Sequence, residues 1–361
     1  MITYIGLIIV ELLLAFGIKL GVPDKRRQEQ LIAAIGMFLI FLLLALKKDT
    51  VGIDIIGYKE QYEIAGLMEW KDFHYVYFEP GYLLLTKIFA KLGLPFQFFT
   101  VMVYGVFCYA IYLLIRRFSP NATLSILVFI CYNFLVFSIS GLRQTLAMAV
   151  CIYALMLSLG FTVGSAVGAI CMNLAAVTIH ESAIVFFAVL ALVLFTNRTV
   201  RVTAWTVLTV CVFILRPQLW RIVAYLYGRE MTGFEFSGTL IFLIGIVFFL
   251  SFTYVYYRER RVVLLCGTKR SRLLSYDALL VRAAFLSLMC YIMFSGGPLL
   301  RANVYFTLLL IPGIPMAISK YEYRTRVVWN MAMGAFLIAL FYQYTLSINQ
   351  LELWPYYFFW Q

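Results

Sequence analysis

Apolar runs of membrane-spanning length, or slightly less, recur near residues 2–18, 31–46, 96–115, 122–138, 142–159, 163–179, 182–196, 202–215, 239–257, 278–295, 303–319 and 327–346. At ~20 residues per crossing the pattern predicts an all-α, polytopic membrane helical bundle of about twelve transmembrane helices, 202–215 being the weakest. It forms a single integral membrane domain over 1–361. The polar stretches between the runs are unequal. The longest, 47–95, interleaves Tyr58, Tyr62, Trp70, Tyr75, Tyr77, Phe78 and Tyr82 with Asp49, Asp54, Glu60, Glu63, Asp72 and Glu79, a composition too ordered for a linker. Within it, 81–92 predicts a short amphipathic helix lying in the interface, with Lys87 and Lys91 on its wet face. A second outer loop is expected at 216–238 and a basic cytoplasmic loop at 258–277. Met1 to Ile18 has no basic leader and no small-residue cleavage site, so it is expected to stay as a first helix.

Composition supports a membrane bundle and excludes a soluble domain: 64% of residues are hydrophobic, 13% charged, and the mean hydropathy is +0.93. The net charge of +12 alone would admit a nucleic-acid partner. Its distribution removes that class. Eighteen of the 29 Lys and Arg residues fall in one alternating set of loops, beside five acids, whereas the other set is balanced. Basic short loops stay on the cytoplasmic side, so both termini are expected on the opposite, extracytoplasmic side, and the surplus meets anionic membrane lipid. The seven cysteines show no CxxC pair and read as buried thiols. With no DxD pair and no histidine cluster, neither a metal nor another cofactor is expected.

Candidate chemistry gathers at the two ends of the stretch Ser140 to Ser182, which holds Ser140-Gly141-Leu142-Arg143-Gln144 and Ile179-His180-Glu181-Ser182. The apolar residues between them, broken near Gly160, predict a helical pair that returns to the leaflet it left. Arg143 is then either a snorkelling arginine or a planar, permanently charged ligand for a diphosphate, with Gln144 beside it as a sugar contact. His180 is a structural histidine or a proton acceptor, and Glu181 adjoins it. Arg301 follows the breaker Gly296-Gly297-Pro298 and opens a helix, where added positive charge favours a bound anion. With Arg143 it would clamp a diphosphate. Asp54 and Glu79 lie beside turn residues; each is a candidate general base or sugar acceptor, against an Asx-turn and a solvated carboxylate respectively. Glu11 lies far from any boundary and has no assigned role.

An ordered set of these motifs resembles the EpsG family of Wzy-like exopolysaccharide and capsule polymerases. It comprises Lys48-Asp49-Thr50-Val51-Gly52-Ile53-Asp54 with Tyr58 and Tyr62; Phe78-Glu79-Pro80-Gly81-Tyr82; Gly141-Leu142-Arg143-Gln144; His180 with Ser182; Arg301 with Tyr305-Phe306; and Pro355-Tyr356-Tyr357-Phe358-Phe359-Trp360. Lys47 and Lys48 stand where the family often carries an arginine, and a lysine lacks the planar fork. The resemblance implies a membrane glycosyltransferase that joins undecaprenyl-diphosphate-linked repeat units and releases undecaprenyl diphosphate. It implies catalytic roles for Arg143, His180, Glu79 and Asp54, and substrate contacts from Arg301, Gln144, Glu181, Tyr305, Tyr58 and Lys48. Flippase and chain-length regulator proteins of the same pathway are the implied partners. The main alternative, a flippase of lipid-linked oligosaccharide, calls for polar groups at the midplane, whereas Arg143, His180, Glu181 and Arg301 are expected at one boundary.

Overall fold

Helix α1 (Ile2–Gly21) turns back into α2 (Lys25–Ala45) through Asp24, whose carboxylate accepts the backbone N–H groups of Arg26 and Arg27 and so starts α2. The computed structural model describes residues 1–69, 78–160, 162–194, 279–280, 282–290, 298–347, 349 and 351–361, together with 211, 214, 215, 218 and 221. The runs at 202–215 and 239–257 and the loops at 216–238 and 258–277 lie outside the described residues, apart from those five positions. Among the described residues the protein is helical, and the one isolated β-bridge joins Lys47 to Phe358.

The chain divides into two compact units, Met1–Ile184 with Ile311–Gln361, and Val185–Leu310. In the first, α2 packs against α5 (Phe96–Phe118), α5 against α8 (Leu142–Ser158), and α8 against α9 (Val163–Ile179). Four helices among the described residues are long and apolar enough to cross a membrane, five if a bent pair counts as one span. That pair is α6 (Ala122–Cys131) and α7 (Phe134–Ser140), bent by 49°. The predicted run at 122–138 breaks at Asn133, which takes the left-handed conformation that asparagine tolerates better than most residues. Exposed Ile9, Leu13 and Phe16 on α1, and Val328 and Met331 on the helix Tyr323–Phe341, give these helices apolar outer faces suited to lipid.

The stretch 47–95 is helical over much of its described length, with α3 (Ile55–Leu67) and α4 (Pro80–Lys91) packed together. The helix predicted at 81–92 is α4, but Lys87 does not face water. It is fully buried, and its Nζ donates to the carbonyl of Met68 at 2.6 Å. Met68 is the C-cap of α3, where unpaired carbonyls and the helix dipole favour an ammonium group. Leu84 and Ile88 are exposed instead, and Lys91 is exposed as expected.

The closing aromatic segment docks along the start of this stretch. Lys48 N–H donates to Tyr357 O and Phe359 N–H to Leu46 O, both at 2.9 Å, while Gly52 and Ile53 donate to Glu352 and Leu351. Tyr4 bonds the Leu353 carbonyl at 3.0 Å, and the Tyr356 hydroxyl bonds that of Leu43. In the second unit, α10 (Phe186–Leu194) brings Phe186 edge-on to buried Tyr305, 6.4 Å between ring centres.

Candidate functional site

Three short signals, at positions 79, 143 and 180, meet at one end of the first unit. Glu79 is the N-cap of α4, with Pro80 at the first helical position, and its carboxylate makes no cap bond. It is therefore free to bridge two other helices. One oxygen, Oε2, accepts from Arg143 Nη1 in an ion pair. The other, Oε1, lies 2.6 Å from His180 Nδ1 and accepts the backbone N–H of Glu181 at 3.3 Å. The three side chains are mostly buried, with exposures of 16% for Glu79 and Arg143 and 20% for His180.

Local backbone chemistry sets each partner. Gly141 opens α8, and Arg143 follows within its first turn. The guanidinium lies 4.1 Å from the Phe78 ring centre and 5.8 Å from that of Tyr58, a stacking worth ~0.5–2 kcal/mol where water is excluded. Its Nε is buried and finds no acceptor among the described residues. His180 ends α9 in extended conformation, and the chain continues into the 3-10 turn Glu181–Val185. Buried Asn173 secures that turn by donating to the Ala183 carbonyl at 3.4 Å while accepting from the Cys151 thiol at 3.3 Å. The down-and-back pair expected between Ser140 and Ser182 is thus α8 and α9, both meeting Glu79 at one end.

Burial alone would push the Glu79 carboxyl up, but the hydrogen bond to His180 and the charge of Arg143 outweigh it and hold the group at about 2. Glu79 is therefore ionised at neutral pH and is a poor proton acceptor there. Burial pushes the Tyr58 phenol up, and the Arg143 charge opposes it. The cluster offers an arginine pre-oriented by a carboxylate and an aromatic ring, next to an imidazole that the same carboxylate orients.

The other candidates are more dispersed. Tyr58 is buried beside Arg143. Asp54 is exposed at the start of α3, its side chain makes no cap bond, and that side chain reaches Tyr58 only through its charge. Gln144 is buried next to Arg143, and the Glu181 side chain is exposed next to His180. Lys48 lies 6.0 Å from the Tyr357 ring. Arg301, in the turn Pro298–Asn303, and Tyr305 belong to the second unit. Sequence patterning did not single out Phe78 as the ring under Arg143, although its place directly before Glu79 was the available signal. Among the described residues, no group of three or more His, Cys, Asp or Glu could hold a metal ion.

Fold and site together define an all-helical membrane protein with an arginine, a carboxylate and a histidine joined at one end of its bundle. The EpsG family model matches residues 31–358, and the chain belongs to the EpsG family. Membership suggests a polymerase-like role in exopolysaccharide synthesis at a membrane. No curated protein and no solved structure matches the chain.

Proposed function

We propose that this chain is a polysaccharide polymerase that joins undecaprenyl-diphosphate-linked repeat units at the outer face of the bacterial cytoplasmic membrane and releases undecaprenyl diphosphate. The observation that carries the proposal is the bridge from Arg143 through Glu79 to His180. Arg143 binds the diphosphate and neutralises the charge that grows on it as the sugar departs, the kind of stabilisation that commonly dominates such reactions. Arg143 Nε, lacking an acceptor among the described residues, leaves the guanidinium with unused donor capacity. A base among His180, Glu79 and Asp54 takes the proton of the attacking hydroxyl. Tyr58, Gln144, Glu181 and Lys48 contact the glycan. Flippase and chain-length regulator proteins of the pathway act beside it, and both termini face outward.

The test is reconstitution in vesicles with a lipid-linked repeat unit, scoring polymer length. Arg143→Ala is expected to lower polymer formation by roughly 100-fold or more, and Arg143→Lys to recover only part of it. Normal polymerisation by a well-folded Arg143→Ala would remove the diphosphate role. Movement of the lipid-linked unit across the vesicle without polymer growth would assign the chain to the flippases instead.

A further inference from the structure

We infer that His180 is the general base, working through Nε2, and that Glu79 is a positioning residue that fixes its tautomer. The inference rests on the polymerase proposal for its chemistry, but its geometric half stands alone.

An ionised carboxylate accepts hydrogen bonds and donates none. Glu79 Oε1 lies 2.6 Å from His180 Nδ1, so the proton in that bond sits on Nδ1. In the neutral ring the free lone pair is then on Nε2. Glu79 itself is fully engaged: Arg143 takes one oxygen, while His180 and the Glu181 amide share the other. Its low proton affinity at neutral pH agrees with that engagement. Among the described residues the Asp54 carboxylate makes no contact with the cluster beyond its field at Tyr58. Of the three candidate bases, His180 alone joins the Arg143 cluster with a ring nitrogen left over among the described residues.

The step balances. The hydroxyl oxygen of the acceptor sugar forms a bond to the anomeric carbon of the donor, and the bond from that carbon to the diphosphate oxygen breaks with its electron pair leaving on the diphosphate. The hydroxyl proton passes to Nε2. The imidazolium so formed is stabilised by the Glu79 carboxylate and later returns the proton to water. A carboxylate fixed behind an imidazole serves the same purpose in hydrolytic triads, where it holds tautomer and orientation without taking the proton.

Among the described residues, the charged and titratable groups around His180 are Glu79 on α4, Glu181 on the following turn, and Arg143 and Tyr58 beyond Glu79. Glu79→Gln keeps the shape and an accepting oxygen but removes the charge. Glu79→Ala is expected to lose the fixed tautomer, and His180→Ala to fall by roughly 100-fold or more.

The second measurement needs no activity. The chain has two histidines, so His74→Gln leaves His180 alone for magnetic resonance of isotope-labelled histidine in lipid nanodiscs. The neutral ring is expected to carry its proton on Nδ1, and Glu79→Ala to mix the two tautomers. A proton on Nε2, or a tautomer indifferent to Glu79→Ala, overturns the inference even if wild-type protein polymerises. Normal activity in a well-folded His180→Ala does the same. If the tautomer is as expected and wild-type protein forms no polymer, the base assignment falls along with the polymerase proposal, and only the Glu79–His180 geometry survives.

Discussion

Gly81 on α4 lies against the backbone of Thr178 on α9, so close that a Cβ built on the glycine would stand 2.7 Å from the Thr178 carbonyl oxygen. Real Cβ atoms do not approach backbone that closely, so any side chain here must push α4 away from α9. Glu79 and His180 each lie two residues from this contact. Gly81→Ala is therefore expected to lengthen the bond between them and to lower stability by ~1–3 kcal/mol, the usual range for overpacking. Thermal unfolding in detergent, run beside a polymerisation assay, checks it. An unchanged midpoint with full activity would show that the two helices do not meet as described.

Arg143 and His180 were legible as neighbours at one boundary, because the helical pair between them returns to the leaflet it left, but Glu79 was not legible as the group that joins them. A glycine before Arg143, a Pro-Gly after Glu79 and a histidine closing an apolar run are local signals, and each marked its position. Their meeting depends on helix packing across sequence separations of 64 and 101 residues, which periodicity does not encode. The same limit explains α4. Helical spacing assigns Lys87 to water because a lysine facing inward needs an acceptor, and the acceptor here is the Met68 carbonyl at the end of another helix. The spans were more legible, since an apolar run is local: α1, α2, α5, α8 and α9 fall where runs were expected. The closing aromatic segment stood out in the sequence only as the motif Pro355 to Trp360. Its pairing with residues 46–53 uses backbone groups, which carry no side-chain signature.

Lys47, just beyond α2, is buried, donates to the Val51 carbonyl at 2.9 Å and lies 5.9 Å from the Tyr104 ring. Burial pushes its ammonium down to about 7, although Asp49 opposes this. Between that value and the ordinary lysine range the unfolded chain binds more protons than the folded one, so folding stability rises with pH across this window. Below about 7 both states are protonated and the dependence disappears. The stability of wild-type protein relative to Lys47→Met is thus expected to grow from pH 7 to pH 9 by roughly 1–3 kcal/mol. Parallel unfolding midpoints for the two proteins across this range would show that the amine is hydrated.

Asn349 holds the closing segment in place, accepting the Leu353 and Trp354 amides on Oδ1 and donating from Nδ2 to the Trp354 carbonyl. Beyond it, the Lys48 and Phe359 amides tie the segment to the stretch before α3. Removal of residues 356–361 is expected to strip hydrogen-exchange protection from the Lys48 amide, which would lose its Tyr357 partner. Tyr356→Phe, which deletes only the hydroxyl bond to Leu43, is expected to cost about 1 kcal/mol and leave that amide protected. Exchange at Lys48 unaffected by the truncation would mean that the pairing is absent in the membrane.

The sidedness of the cluster follows from helix length. Helix α2 has 21 residues and α5 has 23, so at ~1.5 Å per residue each separates its ends by about 30 Å, the thickness of a hydrocarbon core. Lys25, Arg26 and Arg27 stand at one end of α2, and Arg116 and Arg117 close α5 at the same end. Lys47 and the stretch that leads to Glu79 stand at the other. If basic loops stay in the cytoplasm, Glu79, Arg143 and His180 face outward, where a lipid-linked glycan is joined. Single cysteines introduced at the exposed positions Glu60 and Arg116, in a cysteine-free background, separate the two orientations. A membrane-impermeant maleimide is expected to label position 60 in intact cells and position 116 only after the membrane is opened. The reverse pattern would leave the bridge from Arg143 to His180 intact but turn it to the cytoplasm, and polymerisation at the outer face could not then be its chemistry.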